Sequence, residues 1–342
     1  MTSNNRAPTI KTVAREAGVS IKTVSRVMNA ESGVRPGTTA RVQSAADRLG
    51  YVVNPAARRL ASGRTHTLGV VIYASSHWQW TAELISGALA GARRRGYGLG
   101  PFILQHYEKA EREIILELAS GRAVDGVILT VPWNENLTLH EELAARGMPI
   151  ALLPAPAGSA HCAVRSDDDR GAALLTRRLL EFGHREIAVI GGQETLDLTR
   201  LRLSGVREAM DAAAAPLAPE RLVFEDYTFR TGYRAAKRLL ASKTPPTAIL
   251  CFSDILAAGA LRASHELGIH PPIGLSIVGM GNQAIAELVW PPLTTIDIPS
   301  EEMAAKAADL LIDQIEGVTG APGEALFNTR LVARGSDGPA PS

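Results

Sequence analysis

Residues 9–29 read TIKTVAREAGVSIKTVSRVMN, and this stretch decides how the chain begins. Thr9 can cap a helix whose apolar positions, Ile10, Val13, Ala14 and Ala17, fall at helical spacing. Gly18 ends that helix, because a left-handed turn residue costs least as glycine. Ser20 starts a second helix as its N-cap, with Val24, Val27 and Met28 on the inner face. The small Ala14 and the Gly18-Val19 turn allow a close, steep crossing. That crossing leaves Ile21, Lys22, Ser25, Arg26 and Asn29 in an outward row. A third helix, about Gly37 to Leu49, completes a miniature core with Val42, Ala45, Ala46 and Leu49 before Gly50 stops it. The outward row fits a DNA major groove. Arg26 and Lys22 can donate to guanine, Asn29 and Ser25 can bond bases or phosphate, and Ile21 can touch a thymine methyl. Backbone amides near Ser20 can hold a phosphate. The plain alternative is two helices that merely pack.

Charge supports the DNA reading. Residues 1–66 hold eleven Lys or Arg against three acids, a balance of +8 that leaves −7 on the remainder of a chain whose net charge is only +1. A small basic head on a mildly acidic body is the footprint of a nucleic-acid reader joined to something else. The 342 residues call for two or three packed units, and 46% apolar content excludes a disordered chain. No run approaches the roughly 18 apolar residues of a membrane helix. Met1 to Pro8 has no apolar export segment, and Cys162 and Cys251 both sit in apolar settings, so a reducing cytoplasm near the nucleoid is expected, with no membrane partner.

Downstream, residues 51–61 read YVVNPAARRLA and lead into SGRTHT. Together with TVAREAGVSIKTVSRVMN and the entry strand HTLGVV, this sequence closely resembles the headpiece, hinge and first strand of the lactose/galactose repressor family. The resemblance implies that Asn54 to Ala61 is a hinge that becomes helical on operator DNA, two copies meeting in the minor groove of a pseudopalindrome. Leu60 would occupy the position of the wedge between base pairs. Ala56, Ala57 and Ala61 are small enough for close pairing, Arg58 and Arg59 would face phosphate, and Pro55 suits a first helical turn. Tyr51, Asn54, Ala57, Arg58 and Leu60 therefore join Thr9, Ser20 and the outward row as candidate DNA contacts. An ordinary linker is the competing reading.

From Leu68 onward, apolar runs alternate with amphipathic helices: LGVVIY, LGPFIL, DGVILT, PIALLP, IAVIGG, TAILCF and LSIVGM read as buried parallel strands. Helices are expected at about 82–95, 109–119, 137–146, 170–182, 203–212, 232–240 and 255–267. Repeated β–α alternation over this length predicts two doubly wound parallel-sheet lobes. The stretch APAGSA (155–160) and the final SDGPAPS look loose. The resemblance extends over about 68–335 through ELISGALAGARRRGY, LLEFGHREIAVIGG, RLRLSGVREAM, FSDILAAGALRASHELG and PPLTTI. It implies an all-α helix-turn-helix headpiece joined to a periplasmic-binding-protein-like α/β body, with a ligand between lobes that the chain links three times. The expected domains are a headpiece at 1–53, a hinge or linker at 54–66, and a two-lobe ligand-binding and dimerisation body at 67–335.

The same resemblance assigns ligand contacts. Arg202, opening a helix after GGQETLDL, matches an arginine that holds sugar hydroxyls or a carboxylate, and Tyr227 matches a stacking aromatic. Ser253 and Asp254 match an Asn-Asp pair with serine replacing asparagine, and Trp78 and Trp80 fall in a first ligand loop. Aromatic faces with hydroxyl-reading polar groups suit a carbohydrate's CH patches and OH rim. Two departures stand out. Gly279-Met280-Gly281-Asn282 replaces an aspartate-bearing turn, leaving Asn282 as its polar candidate, and Pro154 stands where another aspartate is frequent. These losses leave room for a larger, more apolar or anionic effector, and Arg202 favours an acidic group. Since only ARGSDGPAPS follows the last strand, without a leucine-heptad tail, a homodimer is expected.

GMGNQA (279–284) scans as a dinucleotide fingerprint, with Asp297 eighteen residues beyond Gly279, but it lies late in the chain before a short helix. The run Asp167-Asp168-Asp169 suits a helix N-terminus, with one member free to face the cleft. The histidines have no metal-site spacing, and neither a nucleophile elbow nor a phosphate loop appears. The reading is therefore a repressor responsive to a sugar or sugar acid, with no cofactor and no catalysis. Its rivals are a solute-binding protein without a DNA role and an enzyme on the same scaffold.

Overall fold

The computed structural model describes residues 8–28, 33–51, 63–73, 78–105, 109–120, 123–318 and 322–341. The chain forms two compact units, 1–65 and 66–342.

The first unit is a three-helix cluster: α1 (Ile10–Ala17), α2 (Ile21–Met28) and α3 (Pro36–Leu49). Thr9 and Thr12 cap α1 reciprocally. Thr12 N–H donates to Thr9 Oγ1, and Thr9 N–H donates to Thr12 Oγ1 at 2.7 Å. Gly18, at φ +62°, takes the left-handed turn expected of it, and Val19 N–H bonds back to Ala14 O. Ser20 Oγ accepts from Thr23 N–H at 3.1 Å, as a helix cap should. Val13, Val24, Val42 and Ala45 are fully buried at the centre of the cluster.

The second unit has two lobes, each with a six-stranded sheet. The strands are β1 (Thr67–Tyr73), β2 (Gly98–Leu104), β3 (Gly126–Leu129), β4 (Ile150–Leu152), β5 (Cys162–Ser166), β6 (Ile187–Gly191), β7 (Leu222–Phe224), β8 (Ala248–Cys251), β9 (Ser276–Gly281), β10 (Thr294–Asp297), β11 (Glu324–Phe327) and β12 (Arg330–Val332). Lobe 1 runs β11-β5-β4-β3-β1-β2 and lobe 2 runs β12-β10-β9-β8-β6-β7. All neighbours are parallel except β12, antiparallel to β10. The body helices are α4 (Trp78–Arg94), α5 (Lys109–Ser120), α6 (Leu137–Ala145), α7 (Asp168–Glu181), α8 (Asp197–Ala212), α9 (Phe229–Leu240), α10 (Asp254–Glu266), α11 (Ile285–Leu288) and α12 (Ser300–Glu316). Each sheet is covered by separate apolar clusters, as parallel sheets require.

Three chain segments join the lobes: β5 to α7, β10 to α12 and β11 to β12. They are tied to one another. Asp167 Oδ1 accepts from Thr329 N–H at 2.6 Å, and Arg330 pairs with Asp297 at 2.6 Å.

Helix α8 begins at Asp197, so Arg202 lies in its second turn rather than opening it. The expected elements include neither helix α12 nor the strands β5, β7, β10 and β11, while β12 is the last strand expected before ARGSDGPAPS. The loose-looking C-terminus is built into lobe 2. Ser336 is fully buried and accepts from Thr294 N–H at 2.9 Å, while buried Asp337 pairs with Arg178 at 2.5 Å. The body thus extends past 335. No helix among the described residues is long and apolar enough to cross a membrane.

Candidate functional site

In the headpiece, the α2 periodicity turns Val24 and Val27 inward and leaves Ile21 and Lys22 exposed, with Ser25 and Arg26 half-buried beside them. Ile21 keeps 46% of its surface open at the head of this row. The Arg26 guanidinium lies beside Gly33, where a Cβ would stand 3.0 Å from Nη2. Two candidates are otherwise engaged. Thr9 and Ser20 spend their side-chain oxygens as caps, leaving backbone amides as their means of holding phosphate. Tyr51 packs against the helical core. Asn29, Asn54, Ala57, Arg58 and Leu60 lie outside the described residues.

In the body, a cleft of about 670 Å³ separates the lobes. Its walls come from the carboxyl ends of the strands, including Tyr73 on β1, Leu153 after β4, Ser166 on β5, Ser253 after β8 and Gly281 on β9. Lobe 1 contributes Trp80 and Leu84 from α4 together with Val131, Pro132, Leu153 and Pro154. Lobe 2 contributes Gln193, Asp226, Tyr227, Ser253, Gln283 and Arg202. The two departures noted in the sequence, Pro154 and Gly281, both lie on these walls.

Arg202 is the best-held group in the cleft. Its side chain is 9% exposed and pairs with the nearly buried Asp168 at 2.7 Å, while Nη1 donates to Phe252 O. Burial works against the guanidinium, but Asp168 and Tyr227 more than restore its charge. Arg202 thus enters the cleft already paired with a carboxylate of its own lobe. Tyr227 stands over Gly192, where a Cβ would lie 1.9 Å from the ring, so only glycine admits the aromatic here. Its hydroxyl is 3.3 Å from Thr199 Oγ1.

Three predicted ligand contacts fall elsewhere. Trp78 is 74% exposed at the start of α4 and does not line the cleft; Trp80, two residues on, does. Asp254 is completely buried. Its carboxylate accepts from Thr295 Oγ1 at 2.6 Å and Gln283 N–H at 2.8 Å, fastening the turn after β9. Burial pushes its pKa up to about 6 against those bonds. Asn282, with φ +52°, gives its amide to Asp297 and accepts from Arg334, serving the β10 crossover. Ser253 does line the cleft, though its Oγ also caps α10 through Leu256 N–H.

The sequence reading missed Glu135, Gln193 and Asp226. Gln193 and Asp226 sit in polar loops just past a strand's carboxyl end, the position that could have marked them, whereas Glu135 ends the short turn Trp133–Glu135 beyond β3. Glu135 accepts from Asp197 N–H of the opposite lobe, and burial raises its carboxyl above the ordinary carboxylate range. The cleft therefore carries three acids, Glu135, Asp168 and Asp226, against the single base Arg202. No group of three or more His, Cys, Asp or Glu among the described residues could hold a metal ion.

Comparison with known proteins matches both units. Residues 9–54 match the model for bacterial regulatory proteins of the lacI family, and residues 176–336 match a periplasmic binding protein-like domain. The chain is 32% identical over 339 residues to the HTH-type transcriptional regulator CelR of Thermobifida fusca, covering 97% of this chain and 98% of that one. It is 31% identical over 338 residues to the HTH-type transcriptional repressor CytR of Escherichia coli K12, covering 96% of each. Among solved structures, a CelR–cellobiose complex aligns with TM-score 0.73 at 30% identity, over 96% of this chain and 99% of that one. With a helix-turn-helix headpiece, a two-lobe body and full-length relatives at this identity, the chain belongs to the LacI family of bacterial transcription regulators.

Proposed function

We propose that this chain is a cytoplasmic, homodimeric repressor whose α2 reads an operator half-site and whose interlobe cleft binds an effector that alters operator affinity. The division into a headpiece at 1–53, a linker at 54–66 and a ligand-binding and dimerising body from 67 onward belongs to this reading. The observation that carries it is the conjunction, in one chain, of the outward Ile21-Lys22-Ser25-Arg26 row and a cleft of about 670 Å³. Dimerisation supplies the second headpiece that a pseudopalindrome needs.

The effector is a neutral polyhydroxylated molecule. Trp80 and Tyr227 offer faces for sugar CH patches, while Gln193, Asp226 and Gln283 offer hydroxyl partners. The acid excess and the neutralised Arg202 disfavour a sugar acid. The cellobiose held by the CelR relative has this chemistry. A binding role rather than catalysis belongs to this reading, and the relatives support it, being transcription regulators.

The test titrates the full chain onto a pseudopalindromic duplex at several salt concentrations, with and without neutral disaccharides and sugar acids. Sequence preference, a steep negative salt slope and a response to a neutral saccharide alone are expected. Binding no tighter than to random duplex would overturn the DNA reading. A response confined to sugar acids would overturn the effector assignment. Arg26→Ala should cost roughly 1–3 kcal/mol, concentrated at one base pair per half-site. An equal loss on every sequence would make Arg26 a phosphate contact instead.

A further inference from the structure

Helix α8 forms one wall of the cleft and carries Arg202, yet its own N-terminal residues do not cap it. The N-cap position is Leu196, which has no side chain able to accept, and the Asp197 carboxylate is turned to Arg200. The acceptor comes from the other lobe. Glu135, ending the short turn Trp133–Glu135 beyond β3, places Oε1 3.0 Å and Oε2 3.1 Å from Asp197 N, and the Leu198 amide adds to the same contact. This is a carboxylate on the positive end of a sixteen-residue helix, a favourable charge–dipole and hydrogen-bond arrangement.

The crossover segments hold the lobes together along one side of the body, whereas Glu135 joins them across the cleft itself. Glu135, Leu196 and Leu198 all line it. Opening the cleft would strip α8 of its cap and expose its first amides.

We infer that Glu135 is the positioning residue that latches the lobes of this cleft, so that its carboxylate sets how readily the body adopts the closed, effector-holding arrangement. This rests on the reading of the cleft as the effector site. A carboxylate has about four acceptor positions, and the two α8 amides occupy only some of them. A hydroxyl of a bound polyol can donate to the same group. Effector and latch then share one acceptor that is complete only when the lobes are closed, which gives the ligand its differential affinity for that state. The neighbouring Asn136 does not replace Glu135 as an α8 cap, because its side chain caps α6 through Leu139 N–H at 3.0 Å.

The experiment compares full-length wild type, Glu135→Gln and Glu135→Ala without effector, reading amide hydrogen exchange and solution scattering. In Glu135→Ala, exchange at Asp197 and Leu198 should rise roughly tenfold or more, the scale of a lost charge-assisted bond. The radius of gyration should increase, while exchange at the capped first turn of α9 stays as in wild type. Glu135→Gln keeps an acceptor oxygen and should recover part of both effects. Unchanged exchange at the α8 terminus together with unchanged scattering in Glu135→Ala would overturn the latch. A general rise in exchange across both lobes would also overturn it, since Glu135 would then be a stability residue only. Neither readout uses DNA or effector, so the latch and the regulatory function can fail separately.

Discussion

The two walls of the cleft are built on opposite principles. Lobe 1 presents an apolar face, Trp80, Leu84, Val131, Pro132, Leu153 and Pro154, with one charge, Glu135, that reaches across to the other lobe. Lobe 2 presents most of the polar groups, beside Leu196, Leu198 and Met280, and its strongest charges are already spent on each other, as Arg202 is on Asp168. The first wall can grip a ligand by area, without direction. The second can read hydroxyl positions, but only with groups that its own network keeps in place. A ligand that satisfies both has an apolar face and a hydroxylated rim. The wall that looks more chemically active is therefore the one more dependent on internal support.

The sharpest way to break this contrast is at the buried pair. Arg202→Met leaves Asp168 buried beside Ser166 without its cation, and Asp168→Asn leaves Arg202 equally uncompensated. Each should destabilise the body by about 3–5 kcal/mol, measured by urea unfolding of the full chain. The double substitution Arg202→Met with Asp168→Leu should cost less than the sum, because it leaves no orphaned charge. Single variants within 1 kcal/mol of wild type would show that lobe 2 needs no such support.

A smaller effect is expected on the apolar wall. Trp80→Ala removes ligand-facing area without leaving a charge exposed or a helix uncapped. Effector affinity should fall roughly tenfold to a hundredfold, while unfolding free energy changes less than in the Arg202 variant. Trp78→Ala serves as the control. That side chain lies 74% in solvent away from the cleft, so binding should not change. Equal losses from both would return Trp78 to the ligand set and redraw the rim of lobe 1.

Much of this architecture was legible in the sequence, for identifiable reasons. The headpiece was readable because its signals are local: Thr9, Gly18, Ser20 and Gly50 act on neighbours within one helical turn. The near-continuous apolar runs marked the central strands, since both faces of those strands are covered. The edge strands β7, β11 and β12 are short and only part-buried, so their pattern is weak. Helix α12 was legible too, since Met303, Ala304, Ala307, Ala308, Leu311 and Ile312 fall at helical spacing. Site residues divided similarly. Arg202 and Tyr227 stood in motifs. Asp254 stood in one too, but its carboxylate points at Thr295 and Gln283, forty-one and twenty-nine residues away, which no local pattern reveals. Glu135 acts on α8 sixty-two residues further on, and its role exists only because two lobes face each other.

The smallest expected effect extends the polar principle of lobe 2 beneath its sheet, to His184. Its Nδ1 lies 2.9 Å from Thr247 Oγ1, and its Nε2 lies 2.9 Å from Ser276 Oγ and 3.0 Å from Gly338 O. The ring thereby pins the C-terminal segment to the loop before β8 and to the first residue of β9. Burial holds its pKa below the ordinary imidazole range, so the native ring stays neutral where the unfolded one takes up a proton. The associated stability is fully present above the unfolded pKa of about 6.5 and is lost as pH falls from there toward the native value. Asp254 acts in the opposite sense: its native pKa of about 6 makes acid favour the folded state, so the raw pH profile mixes the two. The informative quantity is the difference in unfolding free energy between wild type and His184→Gln across pH 7 to 5. Its slope should approach at most one proton, with the variant less acid-sensitive. A difference that does not change with pH would mean His184 is as easily protonated folded as unfolded.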